Sequence, residues 1–338
     1  MSMRRRRKMK DKIVFGMIGC GDVTERKSGP AFRKLPQTEM KWVMRRDEKK
    51  LEDYAKRHEI PYFSTEVLDM LRDPDVDAVY IATPPHMHKY YTVLAAEHKK
   101  DVYVEKPMAL NSDECREMRK ACEEHGVKLY VAYYRRAQKK FLQIKSLMEK
   151  GAIGEVRSFT YQYLCPVPQF DPNRPWLFQE DTSGGGILYD VGSHMIDFFL
   201  FLFGEPSMVS GKSGNLSQAL SVEDVTTGFF LFENGIQGTM NITASCGIRE
   251  DLLTIAGSKG ALRFSIMDQA PVSLITDHGT EIFEFEEPEH SQMEMISMIS
   301  DAMLGKTNVE DSGWNGLETQ EILEAFKFGK EVFFRNKD

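Results

Sequence analysis

Along the first 132 positions, apolar residues gather in short continuous runs separated by amphipathic stretches. Lys12 to Ile18, Met40 to Met44, Ala78 to Ala82, Asp101 to Val104 and Lys128 to Ala132 read as buried strands. Between them, Asp47 to His58, Thr65 to Leu71, His88 to Glu97 and Ser112 to His125 carry apolar residues at helical spacing. Alternation of this kind predicts parallel strands joined by right-handed crossovers, an α/β doubly wound sheet over residues 12–132.

The pattern changes after Ala132. From Gly154 to Phe170 and from Ser207 to Phe285 strands predominate, with turn signals at Glu233-Asn234-Gly235 and Gly257-Ser258-Lys259-Gly260. The Asn-Gly pair predicts a type I′ hairpin, because it supplies two positive φ angles. A second α/β domain with a large, mostly antiparallel open sheet is expected over 133–312. Helical periodicity returns from Gly316 to Phe334, and 313–338 is assigned to a C-terminal helix.

Charge and composition narrow the class. The chain has 338 residues and a net charge of −7, with a pI near 5.7. A surface that reads phosphates needs a clustered basic excess, so no nucleic-acid partner is expected. The one basic run, Arg4-Arg5-Arg6-Arg7-Lys8, falls in a flexible tail, residues 1–11. The apolar run Ile13 to Ile18 is too short for a signal-peptide core and merges into a glycine turn. Phe198 to Phe203 is far below the roughly 20 residues of a spanning helix, so no membrane partner is expected. Five cysteines, Cys20, Cys115, Cys122, Cys165 and Cys246, form no close pair and suit reduced thiols in a cytoplasmic protein. The sequons at Asn215 and Asn241 then carry no meaning.

Candidate chemistry collects at the ends of the predicted strands. Gly19-Cys20-Gly21-Asp22-Val23-Thr24 follows the first strand, where glycines let a backbone turn tightly against a pyrophosphate; the third glycine position holds Thr24. The end of the second strand, which reads the ribose in dinucleotide folds, holds Arg45-Arg46 in place of an acid. Paired guanidiniums can grip a 2′-phosphate, which favours NADP(H) over NAD(H), or they can stack on the adenine and leave both possible. Thr83-Pro84-Pro85-His86-Met87-His88 ends the third strand as a rigid turn under the cofactor. His86 and His88, at i and i+2, do not share a helical face, so no metal is expected.

Glu105-Lys106-Pro107 follows the fourth strand and points a lysine into the same crevice. Asp190 and His194 stand at i and i+4, so on a helix both face one side. Gly184-Gly185-Gly186 would let that helix begin close against a ligand. The aspartate can bind a hydroxyl or tune the imidazole, and the histidine can exchange a proton near neutral pH.

Taken together, Gly19-Cys20-Gly21, Ile81-Ala82-Thr83-Pro84, Glu105-Lys106-Pro107 and Gly185-Gly186 with Asp190 and His194 resemble the Gfo/Idh/MocA oxidoreductases over nearly the whole chain. The resemblance implies an N-terminal Rossmann domain, a C-terminal α/β domain whose open sheet forms homodimers or homotetramers, and hydride transfer between a nicotinamide and a sugar, polyol or keto-sugar carbon. It implies that Lys106 orients and helps deprotonate the hydroxyl, that His194 is the acid/base, and that Asp190 binds substrate. Arg136, Tyr163 and Trp176 are expected near the substrate, and Gly19, Gly21, Asp22, Val23, Thr24, Arg45, Arg46, Thr83, Pro84, Pro85, His88, Glu105 and Lys106 near the cofactor. The chain departs from the family pattern at Lys139, where a proline is common, and at Leu177 after Trp176. A non-catalytic nicotinamide-binding sensor is the alternative; it would need Gly19, Gly21 and Arg45 but not Lys106, Asp190 and His194 together.

Overall fold

The computed structural model describes residues 10–169, 171, 174–309 and 313–334; the basic run Arg4 to Lys8 and the end of the expected strand at Phe170 lie outside them. Six strands form a parallel sheet: β1 (Ile13–Ile18), β2 (Thr38–Met44), β3 (Tyr62–Ser64), β4 (Ala78–Ile81), β5 (Asp101–Val104) and β6 (Leu129–Val131). Their order is β3-β2-β1-β4-β5-β6. Helices cover both faces, so β4, β5 and β6 are buried at every position, which is why they read as unbroken runs. Two of the expected helices, His88–Glu97 and Ser112–His125, have the expected bounds. Strand β3 was not expected: it is short and mostly exposed, and it is held at the sheet edge by pairing with β2 and by Tyr62 stacking on Trp42 at 5.1 Å. The order reverses between β1 and β4, and the crevice at their carboxyl ends is where such sheets receive ligands.

The second sheet has nine strands, β7 (Val156–Leu164), β8 (Met208–Gly214), β9 (Val225–Leu231), β10 (Gln237–Thr243), β11 (Glu250–Gly257), β12 (Gly260–Phe264), β13 (Val272–Thr276), β14 (Gly279–Phe283) and β15 (Glu331–Phe333). They run in the order β14-β13-β12-β11-β7-β10-β9-β8-β15. Every neighbouring pair is antiparallel except β7 with β10. In β10, Gly238, Met240 and Ile242 are buried while Gln237, Thr239 and Asn241 are exposed, the period of two of a half-covered sheet. The covered face meets the helix Ser193–Phe203, where Phe159 lies 4.7 Å from Phe199 and Phe199 lies 5.5 Å from Phe230. Each such buried ring contributes about 1.5–3 kcal/mol.

Three expectations change. Among the turn residues only Gly235 has a positive φ, 82°, and its N–H donates to the Phe232 carbonyl at 2.9 Å. The β9–β10 connection is therefore a three-residue loop closed by a glycine bulge, not a type I′ turn. The C-terminal segment is not helix throughout: Gly313–Phe328 is helical, and the chain then adds β15 beside β8. The helix Met293–Met303 leaves the second sheet and packs Met295, Ile296 and Ile299 beside Phe15 and Phe32 of the first core. That return stitches the two units together beside the crevice. The helical stretch Glu180–Phe203 is long and apolar enough to cross a membrane, but 78% of its most apolar window is buried inside the protein, as in a core helix.

Candidate active site

Strand β1 ends at Ile18, and Gly19 turns away with φ of 90° because a Cβ there would sit 2.9 Å from the Ala82 carbonyl at the end of β4. Gly21 has open space where its Cβ would stand, and it lines a cavity of 420 Å³ with Asp22, Val23, Arg45, Arg46, Thr83 and Pro84. Arg45 reaches across the turn and donates from Nη1 to the Cys20 carbonyl at 2.6 Å. Asp47, the acid closest to that arginine pair in sequence, accepts from the Lys50 N–H at 3.1 Å and caps the next helix. A glycine without a neighbour and two guanidiniums at the rim fit a dinucleotide.

Two residues expected near the cofactor have other work. Thr24 is fully buried and donates its hydroxyl to the Gly21 carbonyl at 2.8 Å, closing the first helical turn. His88 is also fully buried, with Nε2 2.8 Å from the Thr83 carbonyl and Nδ1 3.0 Å from that of Pro107. It latches the β4 turn to the β5 turn from behind, and neither residue is in the lining of this cavity or of the inner one beside it.

A second, inner cavity of 160 Å³ shares Val23, Ala82, Thr83, Arg174 and Trp176 with the outer one and brings Lys106, Asp190 and His194 together. Glu105 and Pro85 form part of its wall. The Glu105 carboxylate is buried and accepts from the Tyr80 hydroxyl and the Gln292 amide, both at 2.6 Å, and from the Lys106 N–H at 3.2 Å. Those three donors replace water around a charge that would otherwise be costly to bury. Lys106 Nζ donates to the Asp190 carboxylate at 2.7 Å and to its carbonyl at 2.6 Å, across the two units.

Asp190 stands on a π-helical turn, Leu188–Gly192, that runs directly into the helix Ser193–Phe203 carrying His194. Such bulges re-aim side chains and recur at functional sites. Burial pushes the Asp190 carboxyl up, but the Lys106 ammonium, with Arg174 and Lys27 behind it, outweighs burial and holds it below its ordinary value. Burial drives the His194 imidazole well below its ordinary value, and Arg135, Lys106 and Lys27 add to the shift. A neutral imidazole beside an ammonium can accept a proton from a hydroxyl. Its Nδ1 is enclosed and has no partner among the described residues, and the Tyr134 ring packs edge-on at 5.2 Å.

The glycines before this turn do not face a ligand. A Cβ on Gly185 would lie 2.4 Å from the Tyr189 ring, and one on Gly186 would lie 2.5 Å from the Glu223 carbonyl. They clear space for protein, while Glu223 accepts from the Gly186 N–H at 2.6 Å. Arg136 is not in the inner cavity: its Nε lies 2.9 Å from both Asp197 oxygens, and its guanidinium lies over Phe201. Tyr163 sits on β7 outside the cavity lining, whereas Trp176 lines both cavities. Lys27, Tyr134, Arg174, Met267 and Gln292 also line the inner cavity and were not foreseen. Lys27 sits barely a turn past the glycine loop, which is a usable signal; Gln292 and Met267 carry none, since only the fold brings them near.

Residues 13–133 match the family model of an oxidoreductase family with an NAD-binding Rossmann fold, and residues 141–263 match the GFO/IDH/MocA C-terminal domain. An oxidoreductase of Formosa agariphila is 37% identical over 85% of this chain and 90% of its own length. The scyllo-inositol 2-dehydrogenase (NADP(+)) of Bacillus subtilis is 31% identical over 61% of this chain and 56% of its own. The crystal structure of aldose-aldose oxidoreductase from Caulobacter crescentus, complexed with glycerol, superposes with a TM-score of 0.86 at 25% identity, covering 96% of this chain and 100% of that one. Matches to both units, joined by the same crevice, place the chain in the GFO/IDH/MocA family of NAD(P)-dependent oxidoreductases.

Proposed function

We propose that this protein moves a hydride between NADP(H) and a carbon bearing a hydroxyl on a sugar or polyol, in the cleft between its two units. The observation that carries the reading is the meeting of Lys106, Asp190 and His194 in one cavity that shares a wall with the dinucleotide cavity. The nicotinamide, when bound, takes up or returns the hydride.

The chain's own residues handle the rest. Asp190 holds Lys106 by its carboxylate and carbonyl, so the ammonium is aimed before substrate arrives. From there Lys106 donates to the reacting oxygen and stabilises the charge that grows as its proton leaves. His194, kept neutral by burial, takes that proton in the oxidation direction and gives it back in reduction. Trp176 and Val191 on the wall help keep water from the reacting carbon.

Preference for NADP(H) rests on Arg45 and Arg46, two guanidiniums in a cavity lining that also includes Asp47, whose carboxylate accepts from the Lys50 N–H at the start of the next helix. The dehydrogenase of Bacillus subtilis named for NADP(+) supports the cofactor and the polyol class, and the aldose-aldose oxidoreductase supports a sugar. The exposed face of the nine-stranded sheet, with Gln237, Thr239 and Asn241, is the surface through which we infer a homodimer or homotetramer. Offering sugars, inositols and keto-sugars with each cofactor, and reading nicotinamide absorbance, tests the proposal. Turnover with NADP(H) supports it; cofactor binding without turnover of any substrate favours the sensor.

A further inference from the structure

The inner cavity is small. At 160 Å³ it falls below the usual 300–1,000 Å³ of small-molecule sites. Next to it lies a cleft of 820 Å³ between the β12–β13 connection, Ile266 to Gln269, with the segment after β14 from Glu284 on, and the helix-bearing segment Tyr134 to Phe141. The two spaces share Lys27, Tyr134 and Met267 as lining residues. Met267 is held by Arg135, whose Nη2 donates to its sulfur at 3.0 Å, whereas Lys27 is a long unbranched side chain that can swing aside, so the partition can open on the Lys27 side.

The floor of the cleft is fixed. Arg135 is buried and donates from Nε to the Ile266 carbonyl at 2.9 Å, and Lys140 donates to the carbonyls of Asp268 and Ala270 at 3.0 and 2.9 Å. The rim residues Lys139, Gln269, Glu286 and Glu287 are exposed. The lining holds five cationic and six acidic side chains. That balance suits neither a polyanion nor a cation, whereas many donors and acceptors around the apolar face of Phe285 suit a neutral polyhydroxylated ring.

We propose that the substrate is longer than one sugar: its reacting ring sits in the inner cavity and a second sugar unit passes Tyr134 into this cleft. The inference rests on the hydride-transfer reading above and names its substrate class, a disaccharide or longer neutral saccharide. Disaccharides offer both a reducing and a non-reducing end, so the probe does not depend on which hydroxyl reacts.

Each monosaccharide that turns over is compared with its own disaccharides, such as glucose with cellobiose and maltose. At least one disaccharide is expected to show kcat/KM about tenfold above its monosaccharide. In Gln269→Trp and Lys139→Trp, which fill the cleft from exposed positions, the disaccharide-to-monosaccharide ratio is expected to fall about tenfold. Monosaccharides used as well as or better than all their disaccharides overturn the inference while leaving the hydride-transfer reading standing, as does a ratio unmoved in both variants. Turnover of an inositol or other polyol with no saccharide used also overturns the inference alone, and no turnover of any of these classes removes both.

Discussion

Replacing Lys106 by methionine keeps an unbranched side chain one atom shorter and removes its charge and donors. The ammonium makes two short bonds to Asp190, at 2.6 and 2.7 Å, with the two side chains 15% and 24% exposed. A positioned proton-handling group contributes about 10²–10⁴ in rate, equivalent to about 3–5 kcal/mol of barrier. The variant is therefore expected to lose about a thousandfold in kcat, read as initial rates of nicotinamide absorbance. Its Kd for NADPH, read by fluorescence titration, should stay within about threefold, since Arg45 and the glycine turn are untouched. Asp190 loses its cation in a mostly buried place, so stability should fall by about 1–3 kcal/mol, between the exposed and buried limits for a broken pair. A kcat within about threefold of the parent would refute the role of Lys106. A hundredfold loss of NADPH affinity with kcat intact would make it a binding residue instead.

Further outcomes follow from four sets of contacts. Because burial holds His194 neutral, kcat/KM for oxidation should not fall as pH drops through the ordinary imidazole value; a limb at that value would contradict the assignment. The same lowered pKa contributes stability that is full above the ordinary value and lost as pH falls below it, so His194→Asn should flatten acid unfolding in that window. Asp197 is pushed up to about 6 by burial, with Arg136 opposing, so its contribution is present at low pH and lost as pH rises through about 6. Arg136→Met should cost about 3–5 kcal/mol in urea unfolding, and adding Asp197→Leu should recover most of it; no recovery would sink the pairing. Gly185→Ala, whose Cβ meets the Tyr189 ring, should cost about 1–3 kcal/mol, and a neutral result would show that the ring gives way. Arg45→Asp and Arg46→Ala should each weaken NADPH about tenfold while sparing NADH; equal preference in all three proteins would defeat the phosphate grip.

What the sequence discloses here follows from how local each signal is. The parallel sheet was legible because its strands are buried on both faces and its helices carry their own caps, such as Asn111 before Ser112–His125. Edge strands β3 and β15 were not, since pairing with a neighbour, and not any apolar run, holds them. Lys106, Asp190 and His194 could be picked out because glycine, proline and helical spacing mark their positions. Gln292 could not, because its meeting with Glu105 joins positions far apart in the chain through the returning helix. The contacts of Arg136 and of Gly184 to Gly186 were not legible for one reason: a residue type suited to a ligand is equally suited to a buried partner, and only the fold brings up Asp197, Tyr189 and Glu223.

In the proposed reaction the cleft between the two units passes a hydride from a sugar or polyol carbon to the nicotinamide. The decisive measurement is to incubate the protein with NADP⁺ and sugars and polyols deuterated at their ring carbons, then to weigh the reduced cofactor by mass spectrometry. One deuterium should appear on the nicotinamide ring with the parent protein and be lost with Lys106→Met. Cofactor that is bound by the parent yet gains no deuterium from any sugar or polyol would rule out hydride transfer in this cleft.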